Sequence, residues 1–81
     1  MAEELLQRID INPQVMLGKP VIRGTRVTVE IILERTAAGC STDEVLAEYP
    51  QLSREDVLAA VAYAREALST DEIIPRLQIG R

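Results

Sequence analysis

The sequence predicts a mainly α fold. A three-helix, helix-turn-helix bundle is preceded by a short β-hairpin element and followed by an extended tail. Three observations predict it. Apolar spacing changes from a broken, extended pattern to a helical one at Val29. Two capping boxes, Ser41-Thr-Asp-Glu44 and Ser53-Arg-Glu-Asp56, mark later helix starts. Only Tyr49-Pro-Gln-Leu52 separates the second helix from the third.

The elements follow in order. Residues 9–28 carry Ile9, Ile11, Val15, Val21, Ile22 and Val27, interrupted by Pro13, Gly18, Pro20 and Gly24. Such punctuation gives short extended pieces joined by turns. From Val29, the residues Ile32, Leu33, Thr36 and Ala37 recur at helical spacing, with Thr28 as N-cap and Gly39 at the C-terminal end. The second helix follows the Ser41 box, with Val45, Leu46 and Tyr49 on one face, and Pro50 stops it. The third follows the Ser53 box, where Asp56 replaces the usual Glu, and carries Val57, Leu58, Val61, Ala64 and Leu68. Its alanines favour the helix and permit close approach of neighbours. The bundle thus spans 29–69. The usual turn glycine is missing from the link, so a plain helical hairpin fits as well.

Residues 70–81 do not prolong the third helix, because Pro75 lacks an amide donor and its ring clashes with the preceding turn. Ile73, Ile74, Leu77 and Ile79 are too many aliphatics for a solvated tail. They read as a docking segment for a partner or a second subunit, with Arg76 among them, or as a fold-back onto the core.

Composition sets the bounds. At 81 residues this is a single domain, 1–81, of a size that buries about 60% of its unfolded surface. With no Trp and no Phe, the core must be aliphatic. No apolar run approaches the roughly 18 residues that a membrane span needs. The start, MAEELLQRID, lacks a signal-peptide pattern, and the one cysteine permits no internal disulfide. A cytoplasmic protein is expected, without membrane association. Without histidine, the usual zinc sites and the Ser-His or Cys-His pairs cannot be assembled within one chain. Cys40 reads as a packing residue. Neither an enzyme nor a cofactor site is expected.

The stretch GKPVIRGTRVT, residues 18–28, stands apart in a chain of net charge −4. It holds Lys19, Arg23 and Arg26 and no acid. With Gly24-Thr25 as a two-residue, type II′ hairpin loop, Arg23 and Arg26 would face one another across the turn. Like charges so placed require a negative partner. Asp10, Glu30 or Glu34 could supply it from within; nucleic-acid phosphate or a partner's carboxylate could supply it from outside. The spacing is wrong for a P-loop. Lys19, Arg23, Gly24, Thr25 and Arg26 are therefore the candidate anion, DNA or partner-binding residues.

The run GKPVIRGTRVTVE, followed by AAGCSTDEVL, YPQLSREDV and AAVAYA, resembles the domain-of-unknown-function family numbered 433 over roughly residues 9 to 68. The resemblance implies a homeodomain-like bundle with a short β element before it. Some members of that family resemble VapB-type antitoxins, which are encoded beside a PIN-like toxin nuclease. Gly18, Lys19, Pro20, Arg23, Gly24, Thr25 and Arg26 would be the family's signature positions, with no catalytic role implied.

Charge argues against DNA reading by the third helix. Arg54 at its start is followed by Glu55 and Asp56, and acids dominate the chain from Ser41 to Glu72. Any weak operator contact would fall to the Lys19-Arg23-Arg26 loop. The expected function is that of an antitoxin-like regulatory protein binding a PIN-like toxin, with Arg23, Arg26, Arg76 and Arg81 as candidates for its acidic site. A self-associating adaptor without a nucleic-acid role is the alternative. Aliphatic residues at both ends (Leu5, Leu6, Ile9 and Ile11; Ile73, Ile74, Leu77 and Ile79) predict a homodimer.

Overall fold

The computed structural model of the chain describes residues 2–69. The expected tail, with Ile73, Ile74, Arg76, Leu77, Ile79 and Arg81, lies outside the described residues. Within them run α1 (Ala2–Leu6), β1 (Ile9–Asp10), β2 (Val21–Ile22), α2 (Val29–Ala37), α3 (Thr42–Glu48) and α4 (Arg54–Ser69). A short 3₁₀ turn covers Met16–Gly18. The predicted three-helix bundle and the β element before it are both present. The helix α1 is an addition that the sequence reading did not contain.

Local chemistry sets each helix boundary. Thr28 is extended, and its hydroxyl accepts the Ile31 N–H at 3.0 Å. α2 ends in a Schellman motif: Gly39, at φ +100°, donates to the Thr36 carbonyl, and Cys40 donates to the Arg35 carbonyl. Both bonds of the Ser41 capping box form, at 3.1 Å to the hydroxyl and 2.8 Å to Glu44 Oε1. At α4 the Ser53 N–H donates to Asp56 Oδ2 at 2.9 Å, and the Asp56 N–H donates back to Ser53 Oγ at 3.3 Å. The shorter Asp carboxylate closes this box as Glu does in the other.

The sheet is antiparallel, with Ile9 opposite Ile22 and Asp10 opposite Val21. Thr28 bridges to the other side of Val21. Its turn is not the one expected. The Thr25 N–H and the Thr25 hydroxyl both donate to the Ile22 carbonyl, at 2.9 and 2.8 Å. The turn is therefore Ile22–Thr25, centred on Arg23-Gly24, and Gly24 takes the third position at φ +82°. A positive φ there belongs to type II. Thr25 Oγ1 also accepts the Val27 N–H at 3.0 Å, and this second bond fixes the register one residue away from the expected Gly24-Thr25 loop.

The core is aliphatic, centred on Ile22, Val29, Ile32, Val45, Leu52 and Val57, with Ala60 fully enclosed. Leu52, in the α3–α4 link, is buried in this core. Cys40 is half-buried against this core, as expected of a packing residue. α4 departs from the expected facing. Its buried side is Asp56, Val57, Ala59 and Ala60, while Leu58, Val61 and Leu68 are exposed. α1 and α2 both pack on α4, and small side chains allow both to approach it closely. The N-terminal aliphatics are partly covered as a result: Leu5, Leu6 and Ile9 are half-buried, and only Ile11 of that group is exposed.

Candidate partner-binding groove

The loop from Gly18 to Thr28 is held by backbone bonds at both ends. The Arg23 N–H donates to the Arg8 carbonyl at 2.7 Å, and the Val29 N–H donates to the Pro20 carbonyl at 2.9 Å. Before it comes a left-handed turn. Met16, Leu17 and Gly18 have φ of 48°, 59° and 82°, and Leu17 is 92% exposed.

The loop's cations have different fates. Lys19 Nζ reaches Glu30 Oε1 at 3.1 Å, tying the loop to the first turn of α2. Arg23 Nε reaches Asp10 Oδ1 at 3.0 Å, so it does not confront Arg26 unsatisfied. Two of the three acids considered as internal partners are thus used. Arg26 is exposed and has neither an ion pair nor a hydrogen bond among the described residues. Arg54 is tied to Asp43 and Arg8 to Asp56. The start of α4 therefore offers no free cation for phosphate.

Arg26 sits where two shallow depressions meet. One is lined by Asp10, Asn12, Val15, Gly24, Thr25 and Gln51. The other is lined by Met16, Val27, Ile31, Tyr49 and, again, Gln51. Asn12 accepts the Gln14 N–H through Oδ1 at 2.8 Å, which leaves its amide donors for other use. The fold thus places one free guanidinium beside two carboxamides, with Ile11, Met16 and Leu17 exposed on the adjoining segment. Such a surface suits a carboxylate set among apolar side chains better than a line of phosphates. Asn12 and Gln51 were not among the sequence-predicted residues. Both are polar residues in loops, without a spacing signal that links them to Arg26.

Glu48 and Arg35 form a separate, bidentate pair, Nε–Oε1 at 2.9 Å and Nη2–Oε2 at 2.8 Å, which joins α2 to α3. Hydrogen bonding to Arg35 holds the Glu48 carboxyl below its ordinary value, and the same contact raises Arg35. Among the described residues, no three acids or thiols converge to hold a metal ion. No described helix is long and apolar enough to cross a membrane.

Comparison with known proteins gives three findings. The model of a family described as protein of unknown function (DUF433) matches residues 9–64. An uncharacterized protein, y4eO, of Sinorhizobium fredii is 40% identical over 53 residues, which are 65% of this chain and 24% of that protein. The crystal structure of a DUF433 member protein from Anabaena variabilis is similar at TM-score 0.73 and 34% identity, over 84% of this chain and 67% of that one. The chain spans about a quarter of the length of the curated relative it matches.

Proposed function

Since the chain belongs to the DUF433 family, whose description assigns no role, we propose its function from the chemistry of its own surface. It is a small regulatory protein of antitoxin type, without catalytic activity, that binds a PIN-like toxin partner. One observation carries this reading. Arg26 is a free guanidinium in a groove with Asn12 and Gln51, bordered by exposed aliphatic side chains. Arginine amid apolar contacts is the composition of protein-binding hot spots. A guanidinium there can take a carboxylate in bidentate fashion, and PIN-like nucleases present carboxylates in their acidic sites.

Operator DNA is at most a secondary ligand in this reading. Lys19 and Arg23 are already paired, and nucleic-acid affinity grows with the number of phosphates neutralised. The adaptor reading has support of its own. Five internal ion pairs use most of the described cations, as a purely structural role would require.

The two readings separate in one experiment. The chain is co-expressed with a PIN-like nuclease, and capture and nuclease activity are measured. The antitoxin reading expects a complex, a suppressed nuclease, and loss of both with Arg26→Glu. Free nuclease activity and no complex with the wild-type chain would favour the adaptor.

A further inference from the structure

α2 and the C-terminal half of α4 leave an apolar groove between them. It is lined by Pro20, Val29, Leu33, Tyr63, Ala64 and Leu68, and has a volume of about 390 Å³. The charged residue on its wall is Glu30, at the rim, where Lys19 reaches it. Leu68 is 63% exposed, and Leu33 and Tyr63 are only partly covered by the core. Its lining is almost wholly apolar, which suits a short apolar segment.

The size of the groove selects the occupant. Its volume is that of a site for a small ligand or a few side chains, about 300–1,000 Å³. A stable interface between two copies needs roughly 20–30 residues a side. A short segment suits it better than a second globule. The sequence supplies one at the right place. α4 is described to Ser69, immediately beyond Leu68 of the groove wall, and residues 70–81 follow. Within them, Ile73-Ile74-Pro75-Arg76-Leu77-Gln78-Ile79 offers four large aliphatics and one cation, against an apolar groove with one acid at its rim.

We propose that this groove is the seat of the chain's own residues 73–79. Seating it there requires a reversal within Thr70-Asp71-Glu72, and Pro75 is unsuited to the interior of a continuing helix. A linker of three residues holds the segment at an effective concentration on the order of millimolar or above. Weak apolar contacts suffice for occupancy at that concentration. Arg76 then lies within the field of Glu30, which places the cation at the polar rim and the aliphatics inside.

The chain has no tryptophan, so a single indole reports on the site. Leu77→Trp is made in the full chain, and its emission and acrylamide quenching are followed across a hundredfold range of protein concentration. The expected result is blue-shifted, quench-protected emission, independent of concentration. It should revert to that of an exposed indole when Leu68→Glu or Ala64→Arg is added. Leu68 is on the surface, so Leu68→Glu should leave the far-UV helical signal unchanged and keeps the test valid if Ala64→Arg unfolds. Exposed emission in the Leu77→Trp chain would overturn the proposal. So would protection that disappears on dilution, which would make a second copy the occupant. Protection that persists in a folded Leu68→Glu chain would place the segment elsewhere and overturn it too.

Discussion

Arg8 Nη1 lies 3.1 Å from Asp56 Oδ1, while the other oxygen of the same carboxylate accepts the Ser53 N–H at 2.9 Å. One buried acid therefore caps α4 and anchors the strand entry leading to β1. Arg8 also contributes its carbonyl, which accepts the Arg23 N–H. The start of α4, the entry to β1 and the cationic loop are coupled through this pair.

Replacing Asp56 with Ala should remove both functions at once. Loss of a cap costs about 0.5–2 kcal/mol, and a charge-assisted hydrogen bond contributes about 1.5–3 kcal/mol. Urea unfolding should place Asp56→Ala at roughly 2–5 kcal/mol below wild type. Arg8→Ala should cost less, because its side chain is 43% exposed and the cap survives. Equal costs for the two would show that capping contributes nothing here.

Ile32 is completely enclosed between α2 and the rest of the core. Truncation to Ala removes its transfer free energy and leaves a cavity, so Ile32→Ala should destabilise by about 2–5 kcal/mol. Truncating the exposed Val61 to Ala should change little by the same measurement.

Gly24 has open space where a Cβ would point, so a side chain there meets no clash and only the positive φ opposes it. Gly24→Ala should cost about 1–2 kcal/mol. Gly24→Asn should cost less, since Asn tolerates the left-handed region. If both variants unfold at the wild-type midpoint, the turn relaxes to another type.

The Arg35–Glu48 pair makes a prediction about pH. The folded-state value of Glu48 is depressed below its ordinary 4.5. Its contribution to stability is therefore present above that ordinary value and is lost as pH falls through the folded value. Glu48→Gln should flatten the acid limb of the stability profile. Unfolding midpoints at pH 7 and pH 3 should differ less in the variant than in the wild type. Both groups are on the surface, so salt should reduce the difference.

The parts legible in the sequence are those fixed by residues a few positions apart. Thr28, Ser41 and Ser53 announced α2, α3 and α4 because an N-cap reaches only two or three residues ahead. Gly39 marked the end of α2 because its left-handed conformation suits glycine. The parts not legible depend on distance or on competition. α1 has five residues and no cap signal, and its place comes from packing on α4. The partner of Asp56 lies 48 residues away. A helical wheel put Leu58 and Leu68 inside, whereas close approach of α1 and α2 selected the alanines. In the cationic loop, glycine showed that a turn exists, but the Thr25 hydroxyl decided which residues form it. Of the groove, Arg26 was found from charge, and Asn12 and Gln51 came to it only through the fold.

The left-handed turn at Met16–Gly18 reverses an ordinary rule of substitution. Leucine in that conformation costs about 1–2 kcal/mol, and Leu17 recovers little of it, since its side chain faces water. Glycine usually weakens a structure by about 0.5–1 kcal/mol through the freedom it has when unfolded. At position 17 the strain relieved is the larger quantity, so Leu17→Gly should raise the melting temperature. A conservative exchange such as Leu17→Ile, β-branched in a left-handed site, should lower it. Tolerance scales built on chemical similarity would rank these two changes in the opposite order. A chain with a bulky aliphatic here holds a less stable turn than glycine would give, so at this position the exposed side chain and the backbone it sits on work against each other.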